Sequence, residues 1–168
     1  MNAADSMAKA GMLFGLSQGV GLLWSSPVGL IIDRLNRMTA MCVAFGIATV
    51  GYFSLGMIVD PFGKLVLIAC VLAGMGESSA MIAGGVLVGQ EAPAKNRGAV
   101  LGTYSLLGAA GIMILTFVGG QLFDLVGKTA PFIMMGFINL IVFCGAFYLR
   151  HTARKVESVG VAQPELPD

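Results

Sequence analysis

Five apolar stretches take up nearly the whole chain, at about residues 10–32, 39–59, 65–90, 98–121 and 131–149. Each is long enough to cross a bilayer, because a hydrocarbon core of about 30 Å needs about 20 residues of helix at a rise of about 1.5 Å each. A soluble domain of 168 residues cannot bury five such elements, since small domains keep much of their surface in water. The predicted fold is therefore all-α, a polytopic membrane bundle of five transmembrane helices. Residues 1–9 are a short external lead, 10–150 the five-helix transmembrane domain, and 151–168 a disordered cytoplasmic tail containing Pro164 and Pro167.

Composition agrees with a bilayer as solvent. The chain is 57% hydrophobic and 11% charged, and its 24 glycines exceed soluble usage, as expected of membrane helices. A net charge of +1 leaves no bulk field for nucleic acid or an acidic partner. Cys42, Cys70 and Cys144 sit in separate apolar runs, form no CxxC pair, and read as small buried hydrophobes. The single His151 lies just past the last run, which argues against a histidine-based metal site. No Ser-His-Asp set, HExxH or phosphate loop is present, so neither an enzyme, a cofactor nor ATP-driven transport is expected. The N-terminus carries Asp5 before Lys9 and runs directly into a full-width apolar span, which does not read as a secretory signal.

Charges in the gaps orient the bundle. Arg34, Arg37, Lys95, Arg97, Arg150, Arg154 and Lys155 fall on one side, and only Lys9, Lys64 and Lys128 on the other. The positive-inside rule then places the first group in the cytoplasm, the N-terminus outside and the C-terminus inside an inner (plasma) membrane. Pro61 and Gly63 separate the second and third runs, and Pro93 the third and fourth. Pro131 suits the first turn of the fifth helix. Pro27 falls inside the first span and predicts a kink, with Ser25, Ser26 or a neighbouring helix helping to satisfy the freed carbonyl.

Lipid supplies little hydrophobic drive between helices, so small residues mark candidate contact faces. Gly11, Gly15 and Gly19 recur along the first helix, Gly74, Gly76, Gly84 and Gly85 along the third, and Gly108, Gly111, Gly119 and Gly120 along the fourth. Generic packing and a moving interface both fit such seams. Polar groups at membrane depth point more directly to function. Glu77 falls near the middle of the third span, where a carboxylate is costly and should face protein or water. Proton coupling, cation pairing or substrate contact are the active roles; a protonated or hydrogen-bonded structural glutamate, with Ser78, Ser79 and polar groups of adjacent helices as partners, is the plain one. Gln18 and Asn139 are also intramembrane and suit hydrogen bonds across helices. Trp24 and Tyr104 can line a cavity or simply pack, and Tyr148 fits an interfacial anchor.

The first cytoplasmic gap reads Gly29-Leu-Ile-Ile-Asp33-Arg34-Leu-Asn36-Arg37. It resembles the signature loop of the major facilitator superfamily, with Asn36 standing where that family usually has glycine. The third gap, Pro93-Ala-Lys-Asn-Arg97-Gly98, is similar to the family's link between the fourth and fifth helices of a half. The resemblance covers about residues 8–150 and implies the C-terminal half of a transporter built from two six-helix halves. Gly29 would then allow close helix contact at the inner face. Asp33 would accept from a helix N-terminus in the partner half, while Arg34 and Arg37 stay at the interface. Five spans lack the first helix of such a half and the whole opposing half. The resemblance thus implies secondary transport of a small solute by alternating access, with a missing N-terminal half or a homo-oligomer as partner besides the lipid bilayer. The competing reading is a small membrane protein, or fragment, that acts in helix–helix assembly without transporting.

Overall fold

The computed structural model describes residues 3–58 and 63–160. All regular structure among the described residues is helical: α1 Ala3–Arg34, α2 Arg37–Met57, α3 Lys64–Glu91, α4 Arg97–Leu125 and α5 Ala130–Gly160, with a short 3-10 turn over Ala94–Asn96. Five of these segments are long and apolar enough to cross a membrane: Gly11–Ile32, Met38–Met57, Lys64–Glu91, Ala94–Leu125 and Ala130–Thr152.

The breaks between helices follow from local chemistry. Asn36 caps α2, its side-chain oxygen accepting from the Met38 amide at 3.1 Å, so one orphan donor of the first turn is satisfied. Gly63 precedes α3, and the Ala92 amide closes its far end on the Val88 carbonyl at 3.0 Å. Pro93 then redirects the chain into the 3-10 turn, closed by Asn96 N–H to the Pro93 carbonyl at 3.0 Å. Gly127 reverses the chain after α4 at φ 141°, a conformation that costs a side-chain-bearing residue strain. Its amide reaches the Leu122 carbonyl at 3.1 Å. Pro131 is the second residue of α5, as its missing N–H allows. Pro61 lies outside the described residues.

Two ends differ from the sequence reading. α1 is already helical from Ala3, within the expected lead, and α5 continues to Gly160, through the first part of the expected irregular tail. Residues 161–168 lie outside the described residues. Hydropathy marks the edge of the membrane, whereas the helix continues into water wherever its backbone hydrogen bonds can. α1 is also helical across Pro27. Ser25 donates to the Leu22 carbonyl at 2.6 Å, one residue before the Leu23 carbonyl that Pro27 leaves without its usual donor.

α2 packs between α3 and α5, and α1 lies against α3. α4 stands at the edge, touching α3 and α5 only lightly. Small side chains fill the interior: Ala40, Ala44, Ala48, Ala69, Ala73 and Ala83 are all buried. Gly51 meets the backbone of Ala73, Gly76 that of Ala48, and Gly74 the Ser17 carbonyl, so closely that a methyl group at any of these glycines has no room. These contacts bring backbones together as membrane helices require.

The glycine expectations are thereby corrected in part. Gly11, Gly15, Gly19, Gly85, Gly108, Gly111 and Gly120 have open space where a side chain would stand. α1 instead approaches α3 through Gly21, beside Ser78. Spacing identifies one face of a helix, but the neighbour decides which glycines it needs.

Candidate functional site

α3 presents Val66, Cys70, Ala73 and Glu77 to a single cavity of about 350 Å³. Steps of three and four residues put them on one face of the helix. Phe14, Ser17 and Gln18 come from α1, Tyr52 from α2, Lys128 and Thr129 from the turn between α4 and α5, and Phe132 from the first turns of α5. The turn residues set the mouth of the cavity at the end of the bundle where α3 begins. From Val66 to Glu77 the lining of α3 rises about 16 Å at 1.5 Å per residue.

Glu77 lines the cavity from the middle of α3. The residue stands halfway along the apolar span Lys64–Glu91 and its side chain is exposed to the cavity rather than packed. The Tyr52 hydroxyl donates to Glu77 Oε2 at 3.1 Å. One carboxylate oxygen is thus held by a phenol from the neighbouring helix, and the group keeps acceptor capacity for a second donor. The local partners expected for it are otherwise engaged: Ser78 Oγ donates to the Gly74 carbonyl at 2.7 Å and Ser79 Oγ to the Met75 carbonyl at 2.6 Å, each back onto α3. Hydroxyls one and two residues along a helix turn away from their neighbour's face, which is why Glu77 finds its partner on α2.

The other candidates separate. Gln18 lines the same cavity as Glu77. Asn139 is buried and donates to the Met135 carbonyl of its own helix at 2.8 Å, in place of a bond across helices. Tyr104 lies on α4 toward the opposite end of α3, its hydroxyl beside Gly84, in a groove with Val88, Asn96 and Thr103. Trp24 combines both roles considered for it: the indole packs on Val28, Ile32, Ala40 and Ala83, and its Nε1–H donates to Ser79 Oγ at 3.0 Å.

In the loop between α1 and α2, Gly29 lies in α1 with open space around it, Asp33 and Arg34 end α1, and Arg37 begins α2. The side chains of Asp33 and Arg37 fall outside the described part of the chain. In the other loop on that side, Pro93 leads the 3-10 turn, Arg97 opens α4, and Gly98 is exposed. No group of three or more His, Cys, Asp or Glu side chains with metal-binding proximity occurs among the described residues.

Sequence reasoning missed Tyr52 and Lys128. Their spans and loops are legible one at a time, but that both line the cavity of Glu77 depends on the register of α2 against α3 and on where the α4–α5 turn lands.

Residues 3–166 match the profile of the Major Facilitator Superfamily. The chain belongs to the major facilitator superfamily. It is 34% identical over 158 residues to magnetosome protein MamH of Paramagnetospirillum magneticum, covering 94% of this chain and 36% of MamH. Magnetosome protein MamZ of Magnetospirillum gryphiswaldense is 34% identical across 84% of this chain and 22% of its own length. The synaptic vesicular amine transporter of Bos taurus is 31% identical across 79% of this chain and 26% of its own length. The chain therefore spans only about a third or less of these relatives. As a superfamily member with five membrane-length helices, it is a multi-pass membrane protein.

Proposed function

We propose that this major facilitator chain supplies one wall of a secondary transporter for a small solute, working by alternating access against a complementary helix bundle. The observation that carries the reading is Glu77, a carboxylate halfway through a membrane span, held by Tyr52 in the lining of a cavity. An ionisable group at that depth is costly in hydrocarbon and marks a solute or proton path in membrane proteins. Superfamily membership supports the same role, and so does the vesicular amine transporter among the relatives, whose name states an amine cargo. In this reading Glu77 either contacts a cationic solute or carries the coupled proton, with Gln18 beside it. Asn139 and Tyr104 act in packing and at the opposite groove.

The complementary bundle is a second transporter half or further copies of the chain. The sparse packing of α4 supports a neighbour there. The seven-to-three division of basic residues supports an N-terminus outside and a C-terminus in the cytoplasm of an inner (plasma) membrane. There the Gly29–Arg37 loop would act as the latch between bundles, and Pro93–Gly98 as the second inner link.

Glu77→Gln tests the coupling role, because glutamine keeps shape and hydrogen bonding without the charge. In the assembled transporter, loss of pH-driven uptake with expression retained is the expected result; retained solute exchange would assign Glu77 the coupled proton, and lost exchange a solute contact. Undiminished pH-driven uptake would remove proton coupling from Glu77. Purified chain that is monomeric and transports alone in liposomes would overturn the need for a second bundle.

A further inference from the structure

The cavity carries two opposite charges at two depths. Glu77 lines it from the middle of α3, and Lys128 from the turn that Gly127 creates at the end of the bundle. Between them the walls are largely apolar, with Phe14, Cys70, Ala73 and Phe132 along the way. A solute with one positive charge would pair with Glu77 and gain nothing from Lys128, which is exposed on its turn; an anion would do the reverse. A solute that carries both charges engages both groups at once through charge-assisted hydrogen bonds. Resting on the transport reading above, we propose that the cavity binds a zwitterion whose ammonium and carboxylate are separated by an extended methylene chain, an ω-amino acid in chemical class.

Each part of the solute then has its match. The ammonium enters first and meets the Glu77 oxygen that Tyr52 leaves available, with Gln18 and Ser17 offering further polar contacts from α1. The methylene chain runs along Phe14, Ala73 and Phe132. The carboxylate stops at the mouth, where the Lys128 ammonium and Thr129 hydroxyl can donate to it. Depth sets the length. The cavity wall rises about 16 Å along α3, and a lysine stem spans only part of that distance. An α-amino acid, with its charges on one carbon, reaches one end or the other but not both. The volume of about 350 Å³ lies at the small end of ligand pockets and suits a slender chain better than a ring system.

Cys70 supplies a native reporter, because it is buried among the helices but lines the cavity, so that a label reaches it only through the cavity. The full chain in its native membranes, carrying Cys42→Ala and Cys144→Ala, would be labelled at Cys70 with a small maleimide. Labelling rates would be compared in the presence of 6-aminohexanoate, hexylamine, hexanoate and glycine. The expected result is that 6-aminohexanoate protects Cys70 at concentrations about tenfold or more lower than either single-charge analogue, as two charge-assisted contacts exceed one. Lys128→Gln should erase its advantage over hexylamine, Lys128→Arg should restore it, and Glu77→Gln should erase its advantage over hexanoate. Equal protection by hexylamine and 6-aminohexanoate, or no effect of Lys128→Gln, would overturn the zwitterion while leaving a cation transporter in place. Protection by glycine as strong as by 6-aminohexanoate would overturn the requirement for separated charges. Absence of protection by every probe would overturn the cavity as a solute site, whereas pH-driven uptake that survives Glu77→Gln removes the coupling role alone.

Discussion

At the residue scale, the Tyr52–Glu77 pair shows how one hydroxyl can define a site. Glu77 sits at a depth where water must be brought to it through the cavity, so each fixed donor contributes more than at a surface. Tyr52→Phe removes that donor and leaves the ring, which still lines the cavity. Solute half-saturation in the assembled transporter should rise about tenfold, in line with a lost hydrogen bond to a charged group, while the amount of folded protein stays unchanged. Binding measured by the Cys70 protection assay checks this, and unchanged protection in Tyr52→Phe would show that the phenol only packs. Trp24 provides the contrast. Its indole N–H reaches Ser79, and Ser79 is already bonded back to Met75. Trp24→Phe should therefore lower thermal stability in detergent by about 1 kcal/mol and leave solute binding alone.

Among elements, the seam between α2 and α3 bears the packing. Gly76 faces Ala48 and Gly51 faces Ala73 with no room for a methyl group. Gly76→Leu should force the two helices apart and cost about 1–3 kcal/mol or more, the range for overpacking a filled interior. Gly15→Leu, into open space, should be close to neutral. Thermal-shift size-exclusion profiles of the two variants check the difference. The same comparison explains what was legible in the sequence. Span number and type follow from local hydropathy, and Glu77 stands out because a single charge at depth is a local fact. Which glycines touch, and which hydroxyl meets Glu77, depends on a tertiary register that neither spacing nor composition encodes. The periodic Gly11, Gly15 and Gly19 therefore suggest a seam that the structure places at Gly21. Tyr52 passes unnoticed as one more aromatic in an apolar run, and Asn139 spends its amide on its own helix. Helix ends were hidden for another reason: the polar residues beyond Leu149 still form helix.

For the whole molecule, the charge division and the cavity share one axis. The mouth lies at the end bearing Lys64 and Lys128, and the basic loops around Arg34 and Arg97 lie at the other. Reporter fusions after Lys64, Arg97 and Arg150 should give an external signal at the first and cytoplasmic signals at the other two. The opposite pattern would reverse the direction from which solute enters. The chain purified without a partner should self-associate, because exposed apolar and glycine-bearing faces of α1 and α4 have no protein against them. α4 has a further consequence, for biogenesis. Its apolar span reaches a mean hydropathy of 1.9 with none of that window buried, so lipid affinity alone keeps it in the bilayer before any helix receives it. It can partition from the translocation channel on its own and wait there as an independent unit. A chain severed between Glu91 and Arg97 and made as two polypeptides should consequently still deliver both pieces to the membrane, the α4–α5 piece rejoining the first through the packing of α5 on α2.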